Sequence, residues 1–440
     1  MTDTGSTETN LAHGREPARS VPHLFVVLEG GRPLAGGARL SLDGLTEVAI
    51  GRGERRSVDL DGDRASLSLP DRRLSSAHAT IVRGERGWEL VDAGSKNGCR
   101  VDGEPATRAA LRDGSWIELG QTVLRFRAAL PAGSAWLDAE TAPPVLDLVT
   151  LVPSLGEQLA ELAKLAASNV SIVITGETGV GKELLARAIH AASGRPGPFV
   201  AVNCAALSEG LLESQLFGHK KGAFSGAVTD HDGFIRAAHG GTLLLDEIGD
   251  LPPLAQAALL RVVQEREVVP VGETRGVAVD VRFVAATLHD LAGTLRDDLY
   301  ARLAGYVVKL PALSARREDL GTIVARAIRT HAGTRVDQVR IAADAAIRIA
   351  TAPWQHNARE LDKAIEVALA LAGDEPVLSL AQLPAPELEA AGDDALRVRL
   401  EALLAEHGGN VTQIAREMGK ARMQIQRWLK RFGLDPATYR

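Results

Sequence analysis

The sequence predicts a protein of three domains that differ in fold class: an all-β sandwich, an α/β domain with a parallel sheet, and a short all-α domain. Length is the first reason, because 440 residues exceed the roughly 250–300 at which one hydrophobic core stops growing. Short β-branched segments divided by turn residues fill the first part of the chain, whereas apolar strands alternate with helical patterns in the middle. Two short helical segments joined by a glycine-containing turn end the chain.

Changes in composition place the boundaries. A polar tail precedes the β-rich part, a Pro- and Ala-rich linker follows it, and a second linker precedes the helical end. The predicted segments are a tail over 1–21, the sandwich over 22–128, a linker over 129–150, the α/β domain over 151–385, a linker over 386–394 and the all-α domain over 395–440.

Composition excludes several classes of protein. With 45% hydrophobic and 24% charged residues and a net charge of −6, the chain is typical of a soluble globular protein. It lacks the run of about 18 apolar residues that a spanning helix needs, so no membrane partner is expected. Its two cysteines, Cys99 and Cys204, fall in different predicted domains, which argues against a disulfide framework and favours a cytoplasmic location.

The strongest chemical signal is a glycine-rich loop that follows the apolar strand Ser171 to Thr175 and opens a helix. Backbone N–H groups in such a loop converge on phosphate oxygens at a helix N-terminus, and Lys182 supplies a positive charge, so ATP is the expected ligand. Glu183 stands where Ser or Thr usually helps to bind Mg²⁺. The predicted nucleotide-binding residues of the loop are Gly176, Glu177, Thr178, Gly179, Val180, Gly181, Lys182 and Glu183.

Two carboxylates follow a second apolar strand, GGTLLL. This arrangement predicts that Asp246 lies near Mg²⁺ and that Glu247 polarises the attacking water. Phosphoryl transfer also needs positive charge, and Arg296 and Arg302 in LRDDLYARL are predicted to face a neighbouring subunit. These residues together predict ATP hydrolysis.

Several motifs occur in order along residues 150–385, among them NCAALSEGLLESQLFGHKKGAFSGA, GGTLLLDEIGDLP, LRDDLYARL and NARELDKAIE. This part of the chain closely resembles the AAA+ domain of bacterial enhancer-binding activators of sigma-54 RNA polymerase. The resemblance implies a helical lid over about 312–385 and a ring, formed by dimers up to a hexamer, that hydrolyses ATP and remodels the closed promoter complex. It also implies that Asn203 pairs with Glu247 as a switch, that Arg296 and Arg302 are arginine fingers, and that Arg359 is the sensor of the lid.

The same resemblance assigns the segment GAFSGA to a surface loop that contacts sigma-54, with the ring of Phe224 exposed; a buried Phe224 that anchors a flexible loop is the alternative. The family has Thr where this chain has Ser225, and it usually has Asn where this chain has Leu288. Its Trp-Pro-Gly-Asn is replaced by Trp354 to Asn357, with Gln355 and His356 in the middle. We expect hydrolysis to survive these departures, with Leu288 attenuating it. The predicted contact loop comprises Gly222, Ala223, Phe224, Ser225, Gly226 and Ala227.

Within the β-rich segment, polar residues fall in successive turns, where they can converge at one end of a sandwich. The guanidinium of Arg52, the hydroxyl of Ser75 and the amide of Asn97 suit a phosphate and an adjacent main chain. Their order resembles the forkhead-associated (FHA) domain, a phosphothreonine-binding module, and implies that Ser76 and Lys96 assist. The expected ligand is a phosphothreonine-bearing protein such as a Ser/Thr kinase; a threonine of the polar tail is the alternative. Taken singly, the Asn-Gly and Asp-Gly pairs also fit plain hairpin turns.

The helical end carries basic and amide side chains suited to DNA phosphates and base edges. It is similar to the Fis-type helix-turn-helix of the same activator family, which implies binding to enhancer DNA as a dimer; a basic dimerisation hairpin is the alternative. The predicted DNA-binding residues are Arg422, Gln424, Gln426, Arg427, Lys430 and Arg431.

These predictions combine into a transcriptional regulator with a phosphothreonine sensor, an ATP-driven ring and a DNA-binding tail. Two alternatives stay open: a DNA-binding regulator whose AAA+ domain binds ATP and barely hydrolyses it, and a remodelling ATPase that acts on a different client. Leu288 is the residue that favours the first alternative.

Overall fold

The structure is a computed structural model, and it describes residues 19–206, 209–288, 291, 293–384, 393–418, 425–426, 428–429 and 432–439. Residues up to Pro384 form one compact unit and the residues after it form a second. None of the helices within the described ranges combines the length and the apolar character needed to cross a bilayer.

The first part of the compact unit is a β-sandwich. Its strands are β1 (Ser20–Glu29), β2 (Ala38–Ser41), β3 (Glu47–Arg52), β4 (Ser57–Asp61), β5 (Arg64–Leu69), β6 (Ala79–Gly84), β7 (Gly87–Asp92), β8 (Cys99–Val101), β9 (Glu104–Pro105), β10 (Arg108–Ala110), β11 (Trp116–Leu119), β12 (Thr122–Pro131) and β13 (Trp136–Asp138).

Two sheets face each other in this sandwich, one ordered β13-β2-β1-β12-β11-β8-β9 and the other β10-β7-β6-β3-β5-β4. Alternate residues such as Val48 and Ile50 of β3 point into the core between the sheets, where they are almost fully buried. The segment predicted as a linker over 129–150 differs from that expectation, because β13 pairs with β2 through Trp136 and Leu40 and extends the sheet.

The α/β part begins after the sandwich. Its helices are α1 (Pro153–Ala166), α2 (Lys182–Ala192), α3 (Glu209–Phe217), α4 (Gly233–Ala237), α5 (Pro253–Glu265) and α6 (Asp297–Leu303), and its strands are β14 (Ile172–Thr175), β15 (Phe199–Asn203), β16 (Thr242–Asp246), β17 (Glu267–Val268), β18 (Val277–Ala278), β19 (Arg282–Thr287) and β20 (Tyr306–Lys309).

Five of these strands form a parallel sheet in the order β15-β16-β19-β14-β20. Parallel strands place their carboxyl ends at one edge, and ligands of open α/β sheets bind outside that edge. The strand ends at Thr175, Asn203, Asp246 and Thr287 therefore bring the predicted catalytic residues to one edge of the sheet.

A helical lid follows. It consists of α7 (Leu320–His331), β21 (Arg340–Ile341), α8 (Ala343–Thr351), α9 (Asn357–Ala372) and β22 (Val377–Leu378). The lid shares one hydrophobic core with the sandwich, because Phe25 and Leu28 of β1 pack in the same cluster as Val324 and Ile328 of α7. Nothing in the sequence predicted this shared core.

The second unit contains α10 (Asp393–Glu406) and α11 (Val411–Glu417), and residues 425, 426, 428, 429 and 432 are also helical. Ile414, Ile425 and Trp428 are buried together in its core. The side-chain oxygen of Asn410 accepts the amides of Thr412 and Gln413, so Asn410 caps α11. Because α10 begins at Asp393, the predicted linker over 386–394 is shorter than expected. The predicted succession of an all-β sandwich, an α/β domain with a helical lid and an all-α end is confirmed.

Candidate nucleotide site and phosphopeptide site

The glycine-rich loop lies between β14 and α2, as the sequence predicts. Gly176, Gly179 and Gly181 have φ angles of 151°, 79° and 105°, a region that favours glycine. The Lys182 ammonium donates to the Gly176 carbonyl at 2.9 Å and lies 3.3 Å from Oε1 of Glu247. The loop thus holds its lysine beside the predicted catalytic carboxylate.

Glu247 is fixed from a second side. Its Oε2 accepts the backbone amide of Leu288 at 3.0 Å, while the side chain of Leu288 is 38% exposed. The position that departs from the family pattern therefore orients Glu247 through its main chain, which any residue supplies. The φ of Glu247 is 49°, so the carboxylate is presented from a left-handed turn at the end of β16.

Asp246 fits a cation. Its Oδ1 is buried and has no hydrogen-bond partner among the described residues. Burial raises the pKa of this carboxyl above its usual value, and the neighbouring Glu247 carboxylate raises it further. A divalent cation with its bound waters would satisfy that oxygen and neutralise both carboxylates, so Asp246 would hold Mg²⁺.

Residues of the lid contact the glycine-rich loop. Asn357, which is 2% exposed, donates from Nδ2 to Oε2 of Glu177 and to the Thr178 carbonyl, both at 3.0 Å. Its Oδ1 accepts the amide of Leu313 at 2.7 Å. Arg359 donates its backbone amide to the Gly179 carbonyl at 3.2 Å.

Arg316 donates to the Val180 carbonyl at 2.5 Å, and burial lowers the pKa of its guanidinium. Sequence reasoning missed Asn357 and Arg316. The retained Asn of the lid motif was the available signal for the first, and no signal pointed to the second.

Other predicted catalytic residues differ from their expected contacts. Asn203 accepts the amides of Ala205 and Ala206, and no bond to Glu247 is recorded in the described part of the chain. The expected switch pair is therefore absent from this conformation, in which Glu247 contacts Lys182 instead.

Glu183, predicted to bind nucleotide, forms an exposed ion pair with Arg187 at 2.6 Å.

The predicted fingers lie at the surface of α6 and its N-terminus. Arg296 pairs with Asp298 at 2.8 Å, and Arg302 is exposed. Solvent weakens such a pair, so it does not prevent Arg296 from reaching a neighbouring subunit. Their role in a ring stays a prediction.

The predicted contact loop is compact. Gly222 donates its amide to the Ala227 carbonyl at 2.9 Å, and the φ angles of Gly222 and Gly226 are 84° and 110°. Phe224 is half-buried rather than exposed, because its ring packs edge-on against His219 with centroids 5.0 Å apart. A move of this ring into solvent requires the release of His219.

The predicted phosphopeptide residues meet at one end of the sandwich. Arg52 donates its amide to the Ser75 carbonyl, and the Ser75 hydroxyl accepts the amide of Lys96 at 3.1 Å. Asn97 donates to the Arg73 carbonyl at 2.6 Å. The side chains of Arg52, Ser76, Lys96 and Asn97 are exposed to solvent.

Two features brace this end. His78, fully buried, accepts the amide of Ser75 at 3.1 Å through Nδ1, and its Nε2 lies 3.2 Å from the Gly98 carbonyl. A Cβ on Gly51 would lie 1.9 Å from the Ser76 carbonyl oxygen, so only glycine fits there. Arg52 is thus held rigidly beside the Ser75 turn.

Most of the predicted DNA-binding residues, Arg422, Gln424, Arg427, Lys430 and Arg431, lie outside the described residues. Gln426 is helical and exposed.

A cavity of about 830 Å³ contains the glycine-rich loop, Asn203, Asp246 and Glu247. Arg326 and Arg359 of the lid line it, and so do Leu34 to Gly36 of the sandwich. A phosphate-binding loop, a carboxylate pair and a helical lid around one cavity define an AAA+ nucleotide-binding domain.

Comparison with known proteins identifies the family. Residues 148–309 match the sigma-54 interaction domain, 48–120 the FHA domain, 314–397 an AAA+ ATPase lid domain and 393–438 a homeodomain-like domain. The transcriptional regulatory protein GlrR of Escherichia coli is 42% identical over 312 residues, which cover 67% of this chain and 69% of GlrR. The transcriptional regulatory protein ZraR of the same organism is 40% identical over 315 residues, covering 67% of this chain and 71% of ZraR.

A crystal structure of NtrX from Brucella abortus with ADP is 34% identical, covers 66% of this chain and 69% of NtrX, and has a TM-score of 0.49. The sequence relatives and the domain matches place the chain in the family of sigma-54-dependent transcriptional regulators, in a form with an N-terminal FHA domain.

Proposed function

We propose that this regulator is an ATP-hydrolysing activator. It remodels the closed complex of sigma-54 RNA polymerase from enhancer DNA, under the control of phosphothreonine recognition by its FHA domain. The observation that carries the proposal is the convergence of Lys182, Asp246 and Glu247 in the cavity, with Glu247 held by the Leu288 amide.

Each residue has a step in hydrolysis. The loop amides and Lys182 would bind the phosphates, and Asp246 would hold Mg²⁺, which would supply positive charge against the developing negative charge. Glu247 would accept a proton from the attacking water while the water oxygen bonds to the γ-phosphorus and the bond from that phosphorus to the ADP oxygen breaks, which leaves ADP and inorganic phosphate. For this step, the Lys182 ammonium must exchange its hydrogen bond to Oε1 of Glu247 for one to a phosphate oxygen, which frees that carboxylate oxygen.

The ring completes the site. The proposal places Arg296 and Arg302 against the nucleotide of the adjacent subunit, where two positive charges stabilise the transition state. Exposure of both guanidinium groups on a single chain supports this placement. The Phe224 ring then contacts sigma-54 when the loop leaves His219.

The test measures two activities of the purified full-length chain. The wild type should hydrolyse ATP, and it should convert the closed complex of sigma-54 holoenzyme to the open complex. Glu247→Gln should bind ATP and lose turnover, whereas Lys182→Ala should lose ATP binding. Turnover in Glu247→Gln equal to that of the wild type would refute the assignment.

A binding-only regulator is the second candidate. The Glu247–Lys182 contact and the apolar Leu288 side chain favour it, because the contact occupies Oε1 of Glu247 and position 288 lacks the polar Asn that the family usually has. It predicts ATP binding with wild-type turnover no higher than that of Glu247→Gln. A remodelling ATPase for a different client would hydrolyse ATP and fail to open the promoter.

A further inference from the structure

The FHA domain forms part of the wall of the nucleotide cavity. Leu34 and Ala35 of its 3₁₀ turn Pro33–Ala35, together with Gly36, line the cavity that also contains the glycine-rich loop. A Cβ on Gly36 would lie 3.1 Å from that of Ala139 and 3.4 Å from Cγ2 of Thr322, so this wall packs closely against α7. Arg329 of α7 donates to the Leu34 carbonyl at 2.8 Å.

The turn is held by Arg56, whose side chain has no solvent-exposed surface. Its guanidinium donates to the carbonyls of Ala35 at 2.9 Å and Gly36 at 3.3 Å. The same group pairs with Glu29 at 2.7 Å and with Asp138. A buried charge with all its donors engaged imposes a geometry that a single neutral contact does not.

Arg56 is also tied to the phosphopeptide site. Arg52 ends β3 and Arg56 immediately precedes β4. Residues 53–56 are therefore the short loop between the two strands, and this loop ends at Arg56. The loop is anchored at its start, since Arg52 bonds to the Ser75 carbonyl and Gly53 to the Leu69 carbonyl. A Cβ on Gly53 would lie 2.8 Å from that of Ser68, which leaves the loop little room. Arg52 and Arg56 are therefore the two ends of one short, closely packed segment.

The lid is bound to the sandwich by further buried contacts. Glu318, which is fully buried, accepts from Arg127 of β12 at 2.6 Å. The Asp319 carboxylate accepts the amide of Leu151 at 2.6 Å, and the Leu151 carbonyl accepts from Arg39 of β2 at 2.9 Å. A Cβ on Gly321 would lie 2.1 Å from the Val27 carbonyl oxygen, so α7 and β1 meet backbone to backbone. The sandwich and the lid therefore form one packed unit, and the wall of the cavity is part of it.

We propose that the Pro33–Gly36 turn is a functional wall of the nucleotide site, and that Arg56 couples it to the phosphopeptide site, so that each ligand changes the affinity for the other. This inference rests on the proposed function, because it needs nucleotide in the cavity and phosphothreonine at Arg52. Linkage makes the effect reciprocal: the factor by which peptide changes nucleotide affinity equals the factor by which nucleotide changes peptide affinity. Coupling of this kind is typically about 5- to 150-fold.

The experiment uses the full-length chain with two probes. One is the fluorescent nucleotide mant-ADP with Mg²⁺, and the other is a peptide pool with a fixed phosphothreonine and randomised flanking residues. Titration of each probe with and without the other should show a reciprocal change of about fivefold or more in the wild type. The non-phosphorylated pool should give no change.

Arg56→Lys keeps the positive charge. It loses the planar guanidinium, which bonds to the carbonyls of Ala35 and Gly36 and to the carboxylates of Glu29 and Asp138. It should bind each probe and lose the coupling. Arg55→Ala, at an exposed neighbouring position, is the matched control and should keep the coupling. Leu34→Ala tests the wall itself and should weaken mant-ADP binding without changing peptide binding, which also gives a result if Arg56→Lys does not fold.

The outcomes separate the two proposals. Coupling that persists in Arg56→Lys, or mant-ADP affinity that is unchanged in Leu34→Ala, overturns the inference, as does a wild type that binds both probes independently. If the wild type fails to bind either probe, or if Lys182→Ala binds mant-ADP as the wild type does, the proposed function fails and this inference with it. Arg52→Ala should keep mant-ADP binding and lose its response to peptide.

Discussion

Replacement of Asn357 by alanine should weaken the contact between the lid and the phosphate-binding loop. The Asn357 side chain makes three hydrogen bonds that join the Leu313 amide on one side to Glu177 and Thr178 on the other. Two of the partner atoms are main-chain groups, and the Asn357 side chain that bonds to them is 2% exposed. Without that side chain, these main-chain groups stay buried and lose a hydrogen-bond partner.

The magnitude follows from these contacts. An unsatisfied buried polar group costs about 1–3 kcal/mol, and the Leu313 amide and the Thr178 carbonyl would each lose a partner. The φ of Asn357 is 57°, a conformation that costs alanine about 1 kcal/mol. The total destabilisation is about 3–7 kcal/mol, and about 1.4–2.8 kcal/mol of it in the lid–loop contact would weaken nucleotide binding roughly 10- to 100-fold.

Equilibrium titration with mant-ADP measures this effect, and thermal unfolding measures the accompanying loss of stability. Lys363→Ala on the same helix is the matched control, because the Lys363 side chain is 68% exposed and, within the described residues, forms an ion pair only with Glu366. Equal mant-ADP affinity in Asn357→Ala and Lys363→Ala would show that the lid contact does not govern nucleotide binding.

Three further predictions use the same protein. Burial raises the pKa of Asp319 from 3.8 to about 6, so the folded state keeps a proton that the unfolded state has lost. Stability should therefore fall by up to about 3 kcal/mol as pH rises from about 4 to about 6 and then level off, and Asp319→Asn should flatten this slope in urea unfolding. Phe224→Ala should abolish open-complex formation and leave mant-ADP binding unchanged, whereas Ser225→Thr should retain both; weaker nucleotide binding in Phe224→Ala would assign the ring a structural role. Leu288→Asn should keep the amide contact to Glu247 and raise ATP turnover with little change in affinity, and identical turnover would show that this side chain is dispensable.

The sequence predicted which residues of the phosphate-binding loop and the carboxylate pair lie together, because each motif is short and adjoins the end of a strand. Lys182, Asp246 and Glu247 meet because parallel strands share a carboxyl edge, which is a general property of such sheets. Arg52, Ser75 and Asn97 come together for a similar reason, since the turns of a sandwich gather at its ends.

Contacts between domains were beyond the reach of the sequence. Arg56 carries no signal of its own in the sequence, and it is buried because Glu29 and Asp138 come to it from distant parts of the chain. Phe25 and Leu28 belong to a strand of the sandwich and pack with the lid. β1 is buried along almost its whole length, and the partner of each of its faces depends on the tertiary arrangement.

The departures from the family pattern fall where side chains carry little of the structure. Gln355 and His356 are exposed, and the His356 main chain does the packing, since a Cβ on Gly179 would lie 2.1 Å from its carbonyl oxygen. The family's Asn is retained as Asn357, which adopts a left-handed backbone conformation and donates hydrogen bonds to the glycine-rich loop. Leu288 likewise contributes through its amide. The lid contact and the predicted catalytic carboxylate are therefore positioned by groups that these substitutions leave unchanged.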